Sequence, residues 1–481
     1  MGRPTSRTPA GPDRGFELDQ WPRPGQGRPP PSEKQARDDV VVVGVGEVTD
    51  LDGEAARAAD ARFHRLGWKR LTVVLIVESV ALGALGLPAA FASLGMVLGV
   101  FFCVSLGLVA VYTGFLVGEV KLKYPQVAHY ADSGRLLMGR FGYELFGAMF
   151  VVSIIFVIGS HVLTGTIAFL KLTDNGGCSA AFGFLSAIIL LVLAIPPSFA
   201  DVAILGYIDF ASILIAIGIT IIATGIQASD GPGLTAINWS WRPKPDLSFV
   251  EAFVAISNIA FAYTFVVGQF SFMDEMHTPS DYMKSIWSLG MIEISIYTLT
   301  GAIIYAFVGV DVKSPALLSA GETVSKVAFG LALPVIFISG SINTTILGRY
   351  IQGRVLSKDS ECHHVNTSKG WAIWLGIVSA VTFTAYIIAE LIPFFSPLLS
   401  LLASLFVSGF SYYFPALMWF KLLREGPWYA SKNILSCLAS GLTFVVGIVI
   451  LICGSYASVA DIIKRFTEGD VGEVFTCKPI G

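Results

Sequence analysis

The chain is expected to be an all-α integral membrane protein with eleven spans, on three observations. Hydrophobic residues make up 54% of its 481 residues and charged residues only 14%, against about 25% charged in soluble domains. The mean hydropathy is +0.69. The apolar residues are gathered into stretches of the ~20 residues that a bilayer core demands. The formal net charge of −3 excludes the basic excess of a nucleic-acid binder. The six cysteines show no CxxC or other metal spacing, so neither a zinc site nor an iron–sulfur site is expected.

The first segment, residues 1–67, differs from all that follows. Its first 32 residues hold eight prolines, and its ten basic and eleven acidic residues nearly cancel. Such a segment buries too little apolar surface to offset its ordering entropy, so a disordered cytoplasmic tail is predicted. No apolar run lies near Met1, so no cleavable signal is visible. Residues 54–66 turn helical in pattern, and a short interfacial helix is expected to lead into Trp68, Lys69 and Arg70 at the headgroup level.

The spans are placed at 71–95, 97–119, 142–170, 181–196, 204–228, 249–272, 285–310, 326–348, 371–389, 394–418 and 434–454. With the N-terminus inside, the inner loops hold twelve lysines and arginines and the outer loops five. That distribution follows the positive-inside rule. The membrane-spanning body is therefore expected to run over 68–454, and the tail 455–481 to be extracytoplasmic.

Span 1 carries Gly83, Gly86 and Pro88 near its middle. Glycine weakens a helix and proline removes a hydrogen bond. In lipid, freed backbone groups are tolerated only against protein or a wet cavity. A break here would offer half-helix ends to a substrate; a packing kink is the competing explanation. In the first reading the backbone of Ala84, Leu85, Gly86 and Leu87 holds a carboxylate, and a valine at Gly83 or Gly86 abolishes transport. Span 6, its counterpart in an inverted repeat, has a less obvious break. It supplies Asn258, Tyr263, Thr264 and Gln269 among apolar residues. Carbonyls near Gly83 and from Phe261 through Ala262 to Tyr263 are candidates to hold an ammonium. Phe261, Tyr263 and Phe265 would shape a side-chain pocket, with core packing as the alternative for the aromatic rings.

The stretches Phe63-His64-Arg65-Leu66-Gly67-Trp68 and Leu85-Gly86-Leu87-Pro88-Ala89-Ala90 resemble fungal amino-acid transporters of the amino acid/auxin permease family. So do Lys121-Leu122-Lys123-Tyr124-Pro125, Gly159-Ser160-His161-Val162-Leu163-Thr164 and Asn258-Ile259-Ala260-Phe261-Ala262-Tyr263. Phe272-Met273-Asp274-Glu275-Met276-His277-Thr278-Pro279, Ser314-Pro315-Ala316 and Gly340-Ser341-Ile342-Asn343 extend the likeness over about residues 63–477. The resemblance implies a LeuT-like fold of 5+5 inverted repeats plus an eleventh transmembrane helix. It also implies uptake of neutral amino acids coupled to protons, with sodium as the other candidate ion. One departure stands out. Many relatives continue Phe-Ala-Tyr with a small residue, Gly and His, where this chain has Thr264-Phe265-Val266.

Ionisable groups inside a membrane are functional candidates because a charge there is costly. Glu78 could carry a coupling proton or brace the span-1 segment. His161 in span 3 could contact substrate or proton, or be a neutral core imidazole. Asp209 in span 5 could couple an ion or mark the interface. Glu293 in span 7 has no basic partner in sequence and no assigned role. Ser341, Thr344 and Thr345 share one face of span 8. They could ligate an ion or bond back to their own helix.

Cys178 and Cys477 both fall outside, where disulfides persist, and a bridge between them is expected, with two free thiols as the alternative. Cys103, Cys437 and Cys453 lie in spans and Cys362 faces the cytoplasm. Of three sequons, only that at Asn238 faces outward, so it alone should accept glycan; the one at Asn343 lies in a span and the one at Asn366 faces inward.

No Walker A loop, HExxH, GxSxG or His-x4-Asp signature is present, and Gly44-Val45-Gly46 has no strand–helix unit around it. An enzyme is therefore not expected, and no cofactor is implied. A secondary transporter in the plasma membrane is the leading expectation. A non-transporting amino-acid sensor on the same fold is the alternative. A channel fits less well, because a broken helix points to an occluded midplane site.

Overall fold

The computed structural model describes residues 67–196, 199–231, 233, 236–274, 276–355, 368–469, 475 and 477, with only the backbone for 74, 78, 81, 199–205 and 274. The expected interfacial helix at 54–66, Cys362 and the Asn366 sequon lie outside the described residues, as does the side chain of Glu78.

Each of the eleven predicted spans overlaps a helix, the sixth a broken pair of helices. Trp68–Lys123 is helical except at Gly95, whose backbone is left-handed at φ 75°. A straight helix of 56 residues would be about 84 Å long at 1.5 Å per residue, far beyond a bilayer core. It is thus two helices, α1 (68–94) and α2 (96–123), meeting at Gly95. Only glycine fits there, because a Cβ would stand 2.2 Å from the Arg242 carbonyl oxygen. The remaining helices are α3 (Tyr130–Leu172), α4 (Ser179–Leu193), α5 (Phe199–Asp230) and α6a (Phe249–Ala262). After α6a the chain breaks, then resumes as α6b, a 3-10 turn Phe265–Gly268 running into Gln269–Asp274. Next come α7 (Tyr282–Val308), α8 (Glu322–Val355), α9 (Ser368–Leu391), α10 (Phe395–Leu423) and α11 (Ser431–Glu468). Among the described residues eight helices are long and apolar enough to cross a membrane, with Leu82–Lys123 counted as one, or nine with the bent pair taken as one span; α4 is a shorter apolar helix.

Two expectations are corrected. Span 1 is not broken: α1 keeps helical torsions through Gly83, Gly86 and Pro88. Gly83 serves close packing instead. A Cβ on Gly83 would lie 2.9 Å from the Ala262 Cα. The last helix also does not end at 454. Gly454 is itself helical at φ −68°, and the helix continues to Glu468, closed by left-handed Gly469. Ala457, Ser458 and Asp461 of this extension are buried, and it packs on α6a and α10.

The ends of the bundle are defined by contacts between turns. At one end the Gly95 turn pairs with the loop before α6a, Met96 N–H to Ser240 O at 3.0 Å. That loop also receives Val310 N–H on the Asn238 carbonyl, and Lys326 of α8 pairs with Asp174 after α3. At the other end Lys123 donates to the Leu422 carbonyl, and Ser285 donates to the Trp68 carbonyl at 2.9 Å. Cys178 and Cys477 are joined by a disulfide at the first end. Asn238 is exposed there too. The most extensive helix–helix contact is that of α1 and α2 with α7.

Candidate functional site

The start of α6a is set by a capping box. Ser248 Oγ accepts the Glu251 N–H, and the Glu251 carboxylate accepts the Ser248 N–H. Lys244 pairs with the same carboxylate at 2.7 Å. The helix then runs fourteen residues and stops at Tyr263. Three bonds pull the chain out of helical register there. The Tyr263 hydroxyl donates to the Cys103 carbonyl of α2 at 2.8 Å. Six residues on, Gln269 Nε2 donates to the Gly114 carbonyl of α2 at 2.7 Å. Ser411 of α10 donates to the Tyr263 carbonyl. The two half-helices meet at 41°.

The break faces a cavity of about 70 Å³. Five helices line it. From α1 come Leu75, Ser79, Leu82 and Gly83, and from α3 Phe150, Ser153, Ile154, Val157 and His161. The break itself contributes Phe261, Thr264, Phe265, Val267, Gly268 and Phe272. Asn343 and Ile346 of α8 and Leu402, Phe406, Val407 and Phe410 of α10 complete the wall. No Asp, Glu, Lys or Arg is among these described lining residues. The cavity extends from Gly83 toward the end that carries Trp68. At Gly83 the wall lies against α6a, where a Cβ would stand 2.9 Å from the Ala262 Cα.

His161 is buried, and its Nδ1 lies 2.8 Å from the Ile336 carbonyl oxygen. A carbonyl only accepts, so Nδ1 carries the hydrogen, and Nε2 of the neutral ring is left as an acceptor. Asn343 donates to the Ser339 carbonyl at 3.0 Å. Residues 403–413 of α10 are wound as π-helix, a rare form that recurs at functional sites. This stretch supplies Phe406, Val407 and Phe410.

Of the expected substrate residues, the structure brings Gly83, Phe261, Phe265 and His161 to one cavity. Ala84, Leu85, Gly86 and Leu87 are buried in an intact helix, whose amide N–H groups are committed to carbonyls four residues back. The Ala84 carbonyl is an exception, because Pro88 has no N–H to give it. Ala262 and Tyr263 sit behind the wall at the α1 and α2 contacts. Ser341, Thr344 and Thr345 are buried and each donates to its own helix, at 2.8, 2.9 and 3.0 Å. Asp209 is fully buried, and its Oδ2 accepts from Ser339 of α8 at 2.8 Å. Thr264, Asn343, Phe406 and Phe410 were not anticipated as site residues. Leu402, Phe406 and Phe410 recur at i, i+4 and i+8 on one apolar face, a signal that was available in the sequence.

The family model described as transmembrane amino acid transporter protein matches residues 64–460, and the chain belongs to that family. The N amino acid transport system protein of Neurospora crassa is 56% identical over 91% of this chain and 94% of its own length. A transmembrane transporter of Fusarium pseudograminearum is 30% identical over 91% and 92% respectively. Among solved structures, a nucleobase-cation-symport-1 family transporter in a closed conformation with bromovinylhydantoin bound is similar at a TM-score of 0.53. It is 13% identical, covering 86% of this chain and 95% of the other. The fold is accordingly LeuT-like, and the protein is a multi-pass membrane transporter of amino acids.

Proposed function

We propose that this chain is a proton-coupled symporter of neutral amino acids working by alternating access. The observation that carries the reading is the interrupted α6, whose free backbone ends meet a cavity without formal charge. Half-helix ends at the midplane are suited to an amino acid's charged α-groups. The carbonyls at the end of α6a, with those of Ala84 and Gly83, would take the ammonium. N–H groups at the start of α6b would take the carboxylate. The backbone of Ala84–Leu87 adds donors to this set only if α1 unwinds on substrate binding. Phe261, Phe265, Phe406 and Phe410 offer apolar and aromatic surface to the substrate side chain, and that supports neutral specificity. His161 Nε2 is an acceptor for a substrate hydrogen.

The end that holds the Cys178–Cys477 bridge is assigned to the outside of the plasma membrane, where disulfides persist. The N-terminus is then cytoplasmic, and the cavity, lined on α1 from Gly83 back to Leu75, lies on the inward side of Gly83. A driving ion biases the cycle only through different affinities for its two states.

The test is uptake of labelled amino acids into proteoliposomes, with the pH gradient and sodium varied separately. Accumulation should follow the proton gradient and persist in choline. Strict sodium dependence would transfer the coupling role to the face of Ser341, Thr344 and Thr345. Binding with no net flux would make the protein a sensor.

A further inference from the structure

Glu293 lies in the middle of α7 with 0% of its surface exposed. Neither of its carboxyl oxygens has a hydrogen-bond partner among the described residues. The hydroxyl of Ser79 on α1 sits next to it, outside hydrogen-bonding geometry and itself unpartnered. The titratable groups facing it are the phenols of Tyr263 at the end of α6a and Tyr297 on its own helix. The Cys103 thiol of α2 and, beyond Tyr263, the Tyr412 phenol of α10 face those two in turn. None of these carries a positive charge. On α1 the neighbouring acid is Glu78, whose side chain is not described.

An ionised carboxylate in this place would lose its hydration with nothing in return. In this packing the carboxyl is therefore neutral, which means that it holds a proton. Its position explains why that matters. Tyr297 is one turn further along α7 and donates to the Ser79 carbonyl at 2.8 Å. Ser79 and Gly83 are successive turns of α1, and both line the cavity. Glu293 thus stands behind the cavity wall, in the seam where α7 holds α1.

We propose that Glu293 is the proton-binding site of this transporter, neutral while α1 and α7 are packed as seen here. Ionisation then requires the two helices to part far enough to admit water. The step balances simply: a carboxylate takes one proton when the seam is open to one side and gives it back when the seam opens to the other. Packed and parted states thereby differ in proton affinity, as coupling demands. The inference rests on the proton-coupled reading and names the residue that reading lacks.

The experiment compares wild type with Glu293→Gln and Glu293→Asp in proteoliposomes. It measures exchange of internal for external substrate, accumulation driven by an imposed pH gradient, and the pH profile of substrate binding. Glu293→Gln imitates the protonated acid. It should lower exchange by no more than about three-fold, lower gradient-driven accumulation by about ten-fold or more, and flatten the pH profile. Glu293→Asp should keep gradient-driven accumulation with a displaced profile. Full accumulation by Glu293→Gln overturns the proposal. So does loss of both activities in both variants, which would make Glu293 a structural acid. If wild type itself shows no dependence on the proton gradient, the coupling-ion reading fails first and this site falls with it. A wild type driven by protons beside an unaffected Glu293→Gln dismisses Glu293 alone.

Discussion

α1 and α6 open the two five-helix halves of the fold, and they use their small and polar residues in opposite ways. α1 contains two glycines and a proline within six residues and remains helical. α6 contains a single glycine, no proline, and is broken. The difference lies in where neighbouring helices pull. Gly83 gives up its side chain so that α1 can lie against Ala262, and nothing draws its backbone away. Tyr263 and Gln269 are both tied to carbonyls of α2, and the five residues between them must span the two anchors. A strong helix breaker in the sequence is thus a licence for close approach as readily as a licence to unwind. A break can be imposed on a helical sequence from outside.

Substitution at the two glycines of α1 gives the largest effect that could break this contrast. A Cβ at Gly83 meets Ala262 Cα at 2.9 Å, whereas at Gly86 it meets only Leu399 and Phe395 side-chain atoms at 3.8 and 3.9 Å. Overpacking against backbone costs about 1–3 kcal/mol, so Gly83→Val should lower uptake by roughly ten-fold or more. Gly86→Val should stay within about three-fold, since side chains can yield where backbone cannot. Uptake normalised to surface expression decides this. Equal, severe losses in both would return the substrate backbone site to α1, where the sequence had placed it.

Tyr263→Phe tests the other helix. It removes the hydroxyl anchor to Cys103 while leaving the ring in place. Loss of one buried hydrogen bond of about 1 kcal/mol should raise KM roughly five-fold or lower Tm by a few degrees. If neither moves, the α2 anchor does not hold the break.

The contrast also marks what could be read in the sequence. The Ser248 and Glu251 cap, the turn at Gly95 and the eleven apolar stretches are local signals, and each corresponds to an element boundary or helix. The break at Tyr263 depends on partners some 155–160 residues away, and no local pattern encodes that. The site follows the same division. Phe261, Phe265 and His161 face the cavity as residue types suggested. Ser341, Thr344 and Thr345 satisfy themselves on their own helix, because a helical hydroxyl finds the carbonyl three or four residues back before any partner. Thr264 and Asn343 become visible as lining residues only when the helices are assembled.

Pro88→Ala sharpens the account of α1 with a smaller effect. It restores a donor to the Ala84 carbonyl in a helix that is already continuous. Stability should change by less than about 1 kcal/mol and uptake by no more than about two-fold. A large loss of uptake with unchanged Tm would mean that α1 opens during the cycle and needs the proline to do so. The smallest effect is expected at Asn238→Gln, which should remove a glycan, seen as a faster band on a gel, and leave uptake unaltered. That result fixes which ends of α1 and α6 face outward. Glycan addition inside the cell-facing loops instead would invert the orientation of both.

The bridge between Cys178 and Cys477 has a topological consequence. It joins residues 299 positions apart, so the chain from α4 through α11 is one covalent ring, with α1, α2 and α3 as its open arm. A single protease cut anywhere within that ring separates no fragment until a reductant is added. The same cut between α1 and α3 releases a piece at once. Limited proteolysis run on paired reducing and non-reducing gels therefore reads the position of each accessible loop as inside or outside the ring, without any label on the protein.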